Sequence, residues 1–350
     1  MVRLGGNEMR DGGDLKDGAR ERPTLKTIAF MTGLGITTVS RALKDAPDIG
    51  ADTKERVRLV ARQIGYQPNR AGVRLRTGKT NVIALVLSIE EELMGFTNHI
   101  VFGISEVLTG TPYHLVITPH ASARDPMVPI RYILDTGSAD GVIISRTEPN
   151  DPRVALMEER GMPFATHGRT NMGIVHPYHD YDNETFAREA VRRLVARGRK
   201  NIAIILPEGH LSYTGHSIKG FRDGLSLHGA RSVPFDSVTV ESPLTAIHDA
   251  TRALMSGPDA PDGLISMAGG CTIAMVAGLE AAGKKLGRDV DLVSKQNSDL
   301  LKWIRPEIIA ANEDIRAAGM ELARAVLASI GGAAPESLQT LYQPSFAEDA

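Results

Sequence analysis

The pattern of apolar residues changes near residue 81, and this change restricts the fold of the 350-residue chain more than any other feature. Beyond it, short apolar segments such as VIALVLS (82–88) and GVIIS (141–145) alternate with amphipathic segments such as NETFAREAVRRLVARG. Repeated strand–helix alternation predicts parallel sheets flanked by helices. Before it, residues 23–66 carry helical patterns alone. The chain therefore combines an all-α module with a larger α/β module.

The α/β module is expected to form two lobes. Further strands are expected at 113–119, 163–168, 201–207, 237–240, 263–268 and 290–295. The polar segments near 178–184 and 306–314 are the expected crossings between the lobes. A small ligand would bind between such lobes, at the carboxyl ends of the strands.

Charge is distributed unevenly along the chain. Residues 23–80 carry 11 Lys/Arg against 4 Asp/Glu, whereas residues 81–350 carry 24 against 33, and the whole chain has a net charge of −2. A basic module joined to an acidic one indicates a polyanionic partner for the basic module alone. A solvated basic face would give the same count, so charge by itself leaves both interpretations open.

Composition narrows the class of protein further. No run of 18 apolar residues occurs, so no membrane-spanning helix is expected. Residues 1–22 lack the apolar core of a signal peptide and are expected to form a disordered tail. The single cysteine, Cys271, excludes an internal disulfide and fits a reducing compartment. A cytoplasmic, nucleoid-associated location follows as an expectation.

The first two predicted helices have the spacing of a helix-turn-helix. Thr24 is a suitable N-cap for LKTIAFM, and Gly33 suits a turn that needs an unusual φ. Ala29 permits close helix contact, and Val39 anchors the second helix. The stretch GLGITTVSRALK (33–44) is thus a turn and a second helix, which either packs in a core or presents its outer residues to DNA.

A third helix completes this module. It is expected over about 53–64, with Val57, Val60, Ala61 and Ile64 on one face, and Gly65 ends it. The basic segment NRAGVRLR that follows is too short to be a stable helix alone, which is consistent with ordering on a partner.

These segments closely resemble the LacI family of transcriptional regulators. The resemblance rests on TLKTIAFMTGLGITTVSRALKD, TKERVRLVARQIGYQPNR and the following hinge, and it extends more weakly to about residue 345. It implies that some side chains contact base edges in the major groove, that others hold phosphates and that a hinge leucine wedges into the minor groove. The residues implied to contact bases are Ile36, Thr37 and Arg41, and those implied to hold DNA phosphates are Thr38, Thr53 and Asn69. Arg70 is a further implied DNA contact, and Leu75 is the hinge leucine.

Two positions depart from the family pattern within the basic module. Gly35 stands where the family usually has Ser, so one capping or phosphate-binding hydroxyl is missing. Gly72 stands where the family generally has Ala, which lowers the helix propensity of the hinge by about 1 kcal/mol.

The α/β module resembles the periplasmic-binding-protein-like sensor of the same family. The predicted fold is an N-terminal helix-turn-helix head with a hinge helix, followed by two doubly wound parallel-sheet lobes. The expected domains are a tail (1–22), a DNA-binding head (23–66), a hinge (67–80) and an effector-binding domain (81–350). Within the last, lobe one is expected at about 81–180 and 310–335, and lobe two at about 181–309 and 336–350.

Polar residues near strand ends are the candidate effector contacts, each also explicable as a structural group. They are Thr97, His167, Arg169, Tyr213, His216, Gln296, Trp303 and Glu313, with Trp303 expected to stack on a sugar face. The set of residues that the family uses for simple hexoses is absent, because Ser217 replaces an Arg and Gln296 replaces a carboxylate. The segments HGR, DYDN, SKQ and NED instead resemble a subgroup associated with α-glucosides and other disaccharides.

Enzymatic and metal chemistry find little support. The segment HPYHDYD places His176, His179, Asp180 and Asp182 at metal-like spacing, but a solvated crossing is the favoured interpretation. The glycine-rich AGGCTIAMVAG lacks the lysine of a phosphate-binding loop, and no motif supplies a base for Cys271. We therefore expect no enzyme, no metal and no cofactor.

The sequence thus predicts a homodimeric DNA-binding regulator that is not associated with a membrane. It is expected to repress a carbohydrate-utilisation operon, with operator DNA and a small sugar effector as partners. Activation or corepression stays an alternative within this class. From another class, the alternative is a solute- or sugar-binding protein without regulatory DNA binding.

Overall fold

The computed structural model describes residues 23–66, 78–88, 95–120 and 125–346. The tail, most of the hinge, and the predicted hinge contacts Asn69, Arg70 and Leu75 lie outside the described residues, as does Gly72. The chain divides into two compact units, Met1–Lys79 and Thr80–Ala350.

The first unit contains the predicted helix-turn-helix. Its helices are α1 (Leu25–Thr32), α2 (Ile36–Leu43) and α3 (Ala51–Gln63). The Thr24 side chain accepts a hydrogen bond from the amide of Thr27, which confirms the expected N-cap. Gly33 has φ +66°, the left-handed conformation that favours glycine. The buried core of this unit consists of Ile28, Ala29, Val39, Ala42, Val57 and Ala61.

The first lobe of the second unit is built on a parallel sheet flanked by helices. Its strands, six within the described residues, are β1 (Val82–Ser88), β2 (His114–His120), β3 (Gly141–Ile144), β4 (Phe164–His167), β5 (Tyr178–Tyr181) and β11 (Gln339–Tyr342), in the order β11-β5-β4-β3-β1-β2. Its helices are α4 (Phe96–Leu108), α5 (Met127–Thr136), α6 (Pro152–Glu159) and α12 (Ile315–Ile330). Separate apolar clusters cover the two faces of the sheet, because its central strands are buried on both sides.

The second lobe repeats this arrangement. Its strands, again six among the described residues, are β6 (Asn201–Ile205), β7 (Arg231–Ser232), β8 (Gly263–Ser266), β9 (Asp291–Gln296), β10 (Ile309–Asn312) and β12 (Ser345–Phe346), in the order β12-β10-β9-β8-β6-β7. Its helices are α7 (Asn183–Ala196), α8 (Ser212–His228), α9 (Leu244–Ser256), α10 (Gly269–Ala281) and α11 (Leu300–Ile304). The strands are parallel except for β12, which pairs antiparallel with β10.

The chain passes from one lobe to the other after Tyr181, after Asn312 and after Tyr342. Adjacent crossings are tied together, since the amide of Asp182 donates to the carbonyl of Tyr342 (2.8 Å). The amide of Glu313 donates to the carbonyl of Gln296 (2.7 Å). These two backbone bonds hold neighbouring chain segments together where the chain crosses between the lobes.

Three sequence-based boundaries need correction. Residues 237–240 do not form a strand, because Val240 makes a single backbone bond to Leu206 rather than a ladder. Residues 310–312 lie in the second sheet, since β10 pairs with β9 before the chain crosses. Residues 339–342 lie in the first sheet, paired with β5, so only β12 returns the chain end to the second lobe.

Within the described residues, no helix is long and apolar enough to cross a membrane.

Candidate functional site

The outer face of α2 is the candidate DNA-reading surface. Ile36, Thr37 and Arg41 are exposed, whereas Val39 and Ala42 of the same helix are buried against α1 and α3. The helix therefore packs by one face and presents the predicted base-contacting residues on the other. Thr38 and Thr53, predicted to hold phosphates, are half-buried near the starts of α2 and α3.

Two local features affect this surface. The guanidinium of Arg41 forms an ion pair with Asp48 (2.5 Å), with both side chains about half exposed. Gly35 is the N-cap of α2 and provides no side-chain hydrogen bond to it. A Cβ atom added at Gly35 would meet only Thr38 Oγ1 at 3.8 Å, so a serine fits there without a clash.

A cavity lies between the two lobes, at the carboxyl ends of their strands. The loops after β3, β4, β8 and β9 contribute most of its wall, as expected for paired α/β lobes. Apolar surface comes from Phe96, Tyr213, Met267 and Ile315. Its polar wall includes Arg146, His167, Arg169, Asp180, Asn183, Ser212, Glu241, Lys295, Gln296 and Glu313.

Glu313 links both lobes at one end of the cavity. Its Oε2 atom lies 2.7 Å from Lys295 Nζ on β9, and its Oε1 atom lies 3.6 Å from His167 Nε2 at the end of β4. Lys295 also donates to Asn183 Oδ1 (3.1 Å). Burial is the largest single influence and would raise the pKa of Glu313, but the charge and hydrogen bond of Lys295, together with the nearby His167 and His179, lower it overall. Glu313 is therefore ionised and holds the ammonium group in place.

The pKa values of Asp180 and His167 are strongly shifted. Burial raises the pKa of Asp180 to about 7, although Arg169 Nε lies 3.1 Å from its Oδ2 and opposes the shift. Burial lowers the pKa of His167 to about 4, against the attraction of Glu313. His167 is thus neutral at pH 7, whereas Asp180 changes charge near that pH.

Some buried polar atoms at the cavity have no hydrogen-bond partner among the described residues. They are Ser212 Oγ and Gln296 Oε1, whereas Asp180 Oδ2 and His167 Nε2 have the ion-pair contacts with Arg169 and Glu313 already described. Buried polar groups are normally paired, so such atoms beside a cavity indicate a polar occupant.

The structure brings five of the eight predicted effector residues to this cavity. These are His167, Arg169, Tyr213, Gln296 and Glu313. Tyr213 Oη donates to Glu241 Oε1 (3.5 Å), and Gln296 Nε2 donates to Asn312 Oδ1 (2.7 Å).

The other three are not among the residues that line the cavity, and their role as effector contacts stays a prediction. Trp303 is 79% exposed because the short helix α11 directs its indole outward, against Lys302. Thr97 is half-buried in the first turn of α4, where the neighbouring Phe96 reaches the cavity instead. His216 lies on α8 one turn beyond Ser212 and Tyr213, which line the wall.

Sequence reasoning missed four charged residues of the wall. Arg146 lies two residues after β3, just beyond the apolar segment GVIIS, and Asp180 lies within β5, in the segment HPYHDYD. Lys295 stands in the SKQ segment, which resembles the disaccharide-associated subgroup. For Glu241, which lies on an irregular loop, the sequence carries no comparable signal.

The metal-like spacing at 176–182 does not form a cluster. His176 bonds to Thr166 and Thr170, His179 bonds to Thr340, and Asp182 caps α7. No group of three His, Cys, Asp or Glu side chains able to hold a metal ion occurs in the described part of the chain.

Cys271 is a buried structural residue. Its thiol donates to the carbonyl of Val240 (3.1 Å), and burial raises its pKa to about 12. Such a thiol is far from the thiolate form that nucleophilic chemistry needs.

Comparison with known proteins agrees with both units. Residues 24–69 match the profile of bacterial regulatory proteins of the lacI family, and residues 191–346 match the periplasmic binding protein-like domain. The transcriptional regulator RafR of Escherichia coli is 31% identical over 333 residues, which cover 92% of this chain and 96% of RafR. The regulator AglR of Rhizobium meliloti (strain 1021) is 30% identical over 319 residues, 87% of each chain.

Solved structures share the fold across almost the whole chain. The Lac repressor dimer bound to operator and the anti-inducer ONPF superimposes with a TM-score of 0.78 at 17% identity, covering 93% of this chain and 98% of that one. The CelR–cellobiose complex superimposes with a TM-score of 0.64 at 24% identity, with the same coverage. The chain therefore belongs to the lacI family of bacterial regulatory proteins and is a DNA-binding, helix-turn-helix transcriptional regulator.

Proposed function

We propose that this regulator represses a carbohydrate-utilisation operon and that an uncharged sugar, preferably a disaccharide, binds between its lobes and lowers its affinity for operator DNA. It acts as a homodimer in the cytoplasm, bound to the nucleoid, and catalyses no reaction. Two heads then read the two halves of a near-palindromic operator, as two-fold symmetry requires.

One observation carries the choice of ligand: apolar surface and partnerless buried polar atoms face the same cavity. Tyr213 and Phe96 offer flat apolar surfaces, and Gln296 Oε1 and Ser212 Oγ offer hydrogen-bonding groups. A sugar has apolar ring faces and a rim of hydroxyl groups, so it satisfies both kinds of surface at once.

The charges of the cavity support an uncharged ligand. Arg146 is paired with Glu208 and Glu241, Arg169 lies beside Asp180, and Lys295 is paired with Glu313. An anionic ligand would have to displace one of these carboxylates and leave it partly buried without its cation, which is costly. Neutral hydroxyl groups can instead donate to the carboxylates and leave the ion pairs intact.

The names of the relatives support the same ligand class. CelR was solved with cellobiose, a disaccharide, and the Lac repressor was solved as a dimer on its operator. The residues proposed to hold the sugar are His167, Arg169, Asp180, Tyr213, Lys295, Gln296 and Glu313.

The first test is calorimetric titration of the full chain with a panel of mono- and disaccharides, together with a gel shift on DNA upstream of its own gene. A specific shift that one sugar abolishes supports the proposal. Sugar binding without any specific shift would favour a solute-binding protein instead. To test the site, Gln296→Leu should abolish the heat of binding, and Gln343→Leu, outside the cavity wall, should preserve it.

A further inference from the structure

The loop after β3 joins the two lobes at the cleft. Arg146 belongs to the first lobe, and its guanidinium reaches two carboxylates of the second lobe. Arg146 Nη2 lies 2.8 Å from Glu208 Oε2, and Nη1 lies 3.1 Å from Glu241 Oε1. The side chains of Arg146 and Glu241 are only 16% and 12% exposed, so solvent and salt screen their attraction less than at an open surface.

The same loop makes a main-chain bond between the lobes. The carbonyl of Thr147 accepts a hydrogen bond from the amide of Ser212 (2.8 Å), the first residue of α8 in the second lobe. Thr147 is buried. The loop after β3 therefore contacts the second lobe through both an arginine side chain and a main-chain carbonyl.

A buried ion pair in the first lobe fixes the conformation of Arg146. Arg146 has φ +53°, which is unfavourable for any residue with a side chain. Its carbonyl accepts a hydrogen bond from Arg153 Nη2 (2.8 Å). The guanidinium of Arg153 is held in turn by two hydrogen bonds to the fully buried Asp151 (3.0 and 2.7 Å). Asp151 also accepts from the amide of Glu148 (3.1 Å), which closes the loop.

We propose that Arg146 is an interlobe clasp, a positioning residue whose pairing with Glu208 and Glu241 sets the angle between the two lobes, with Arg153 and Asp151 holding it in the pairing conformation. The clasp determines what fraction of molecules has the closed cleft. Its link to ligand affinity rests on the proposed function, because a ligand that needs the closed cleft binds in proportion to that fraction.

Glu208 gives the cleanest test because it pairs with Arg146 but does not line the cavity. Glu208→Gln removes one arm of the clasp without touching the ligand wall, and Arg146→Gln removes both arms. Glu280→Gln is the matched control, since Glu280 pairs with Arg305 within the second lobe. Loss of fold in any variant is detected by its circular dichroism spectrum.

The lobe angle is measured in the full chain by pulsed electron spin resonance. Spin labels are attached at Glu159→Cys on α6 and Arg222→Cys on α8, both exposed positions in different lobes. The native Cys271 is buried and is left unlabelled. We expect Glu208→Gln and Arg146→Gln to lengthen the mean distance and broaden its distribution, and Glu280→Gln to match the parent.

Distributions for both clasp variants that superimpose on the parent would overturn the proposal. If Arg146→Gln does not fold, Glu208→Gln decides alone. The distances need neither DNA nor sugar, so they separate the two proposals. A shifted distance in a protein that no sugar binds supports the clasp and rejects the sugar-responsive function. An unshifted distance in a sugar-responsive protein does the reverse.

Discussion

Lys295 Nζ lies 2.7 Å from Glu313 Oε2, and this nearly buried ion pair connects the last long strand of the second lobe to the crossing that leads back to the first. The pair sits at the base of the cleft, where Glu313 also approaches His167 of the first lobe. Lys295, Glu313 and His167 all line the cavity, so a change in this ion pair affects both the stability of the α/β unit and the position of side chains in the cavity wall.

Removing one partner of this pair should be costly. Lys295→Met leaves the Glu313 carboxylate buried without its cation, and we expect a loss of about 3–5 kcal/mol in the free energy of unfolding. The double variant Lys295→Met/Glu313→Leu should recover most of that loss. Arg324→Gln breaks an exposed pair with Glu321 and should change stability by about 0.5 kcal/mol or less. Urea unfolding followed by circular dichroism measures all three, and equal losses in Lys295→Met and Arg324→Gln would contradict the account.

Asp180 should make stability depend on pH. Its pKa is about 7 in the folded protein and near 4 in the unfolded chain, so the folded state holds an extra proton between these values. This contribution to stability is complete below pH 4 and is lost as pH rises towards 7. His167, with a lowered pKa of about 4, contributes in the opposite direction, so the two effects partly cancel.

Asp180→Asn separates these contributions. Relative to the parent, its free energy of unfolding should rise with pH by up to about 1.4 kcal/mol per unit between about pH 5 and pH 7. The control Asp135→Asn changes an exposed carboxyl and should run parallel to the parent. Parallel curves for Asp180→Asn as well would show that Asp180 is ionised throughout this range.

Gly35→Ser should strengthen DNA binding without changing its specificity. The serine hydroxyl can cap α2 and reach a phosphate, which carries no sequence information. Capping alone adds a few tenths of a kcal/mol to the stability of the head. Fluorescence anisotropy with operator and with scrambled DNA should show the same gain for both, and Gly35→Ala should show none. A gain confined to the operator would mean that position 35 contacts a base.

Arg41→Met should relax sequence discrimination. An arginine on the exposed face of α2 can bind guanine O6 and N7 together, which is worth about 1–3 kcal/mol of preference over the wrong base. The preference for operator over a site with the contacted base changed should therefore fall by roughly 5- to 150-fold. Arg58→Met on α3, which removes a similar exposed pair with Asp45, should keep the preference. If Arg41→Met weakens binding to both sites equally, Arg41 contacts the backbone rather than a base.

The sequence predicted the elements whose burial is strongly patterned. The apolar segments of β1, β3 and β6 and the small-residue spacing around Ala29 and Val39 are local signals, and the structure places them as expected. The strand β5 was interpreted as a polar crossing, because HDY looks solvated until β11 pairs with it. That pairing joins residues about 160 positions apart, which local patterns do not encode.

The candidate site was predictable only in part for the same reason. His167 and Gln296 end strands, and Arg169 and Glu313 follow strands within two residues, so their place at the cleft follows from the topology. Arg146 reaches the cleft through a left-handed backbone held by Arg153 and Asp151, a conformation without a sequence signature. Trp303 shows the opposite case. Its ring chemistry suggests a sugar contact, but the orientation of α11 directs the side chain to solvent.

The most direct test of the central claim is the thermodynamic coupling between sugar and operator. The operator dissociation constant is measured by anisotropy with and without saturating sugar, and the sugar dissociation constant is measured by calorimetry with and without operator. The account predicts that sugar weakens operator binding and that operator weakens sugar binding by the same factor, because coupling between two sites is reciprocal. Identical operator affinity with and without a sugar that demonstrably binds would contradict it.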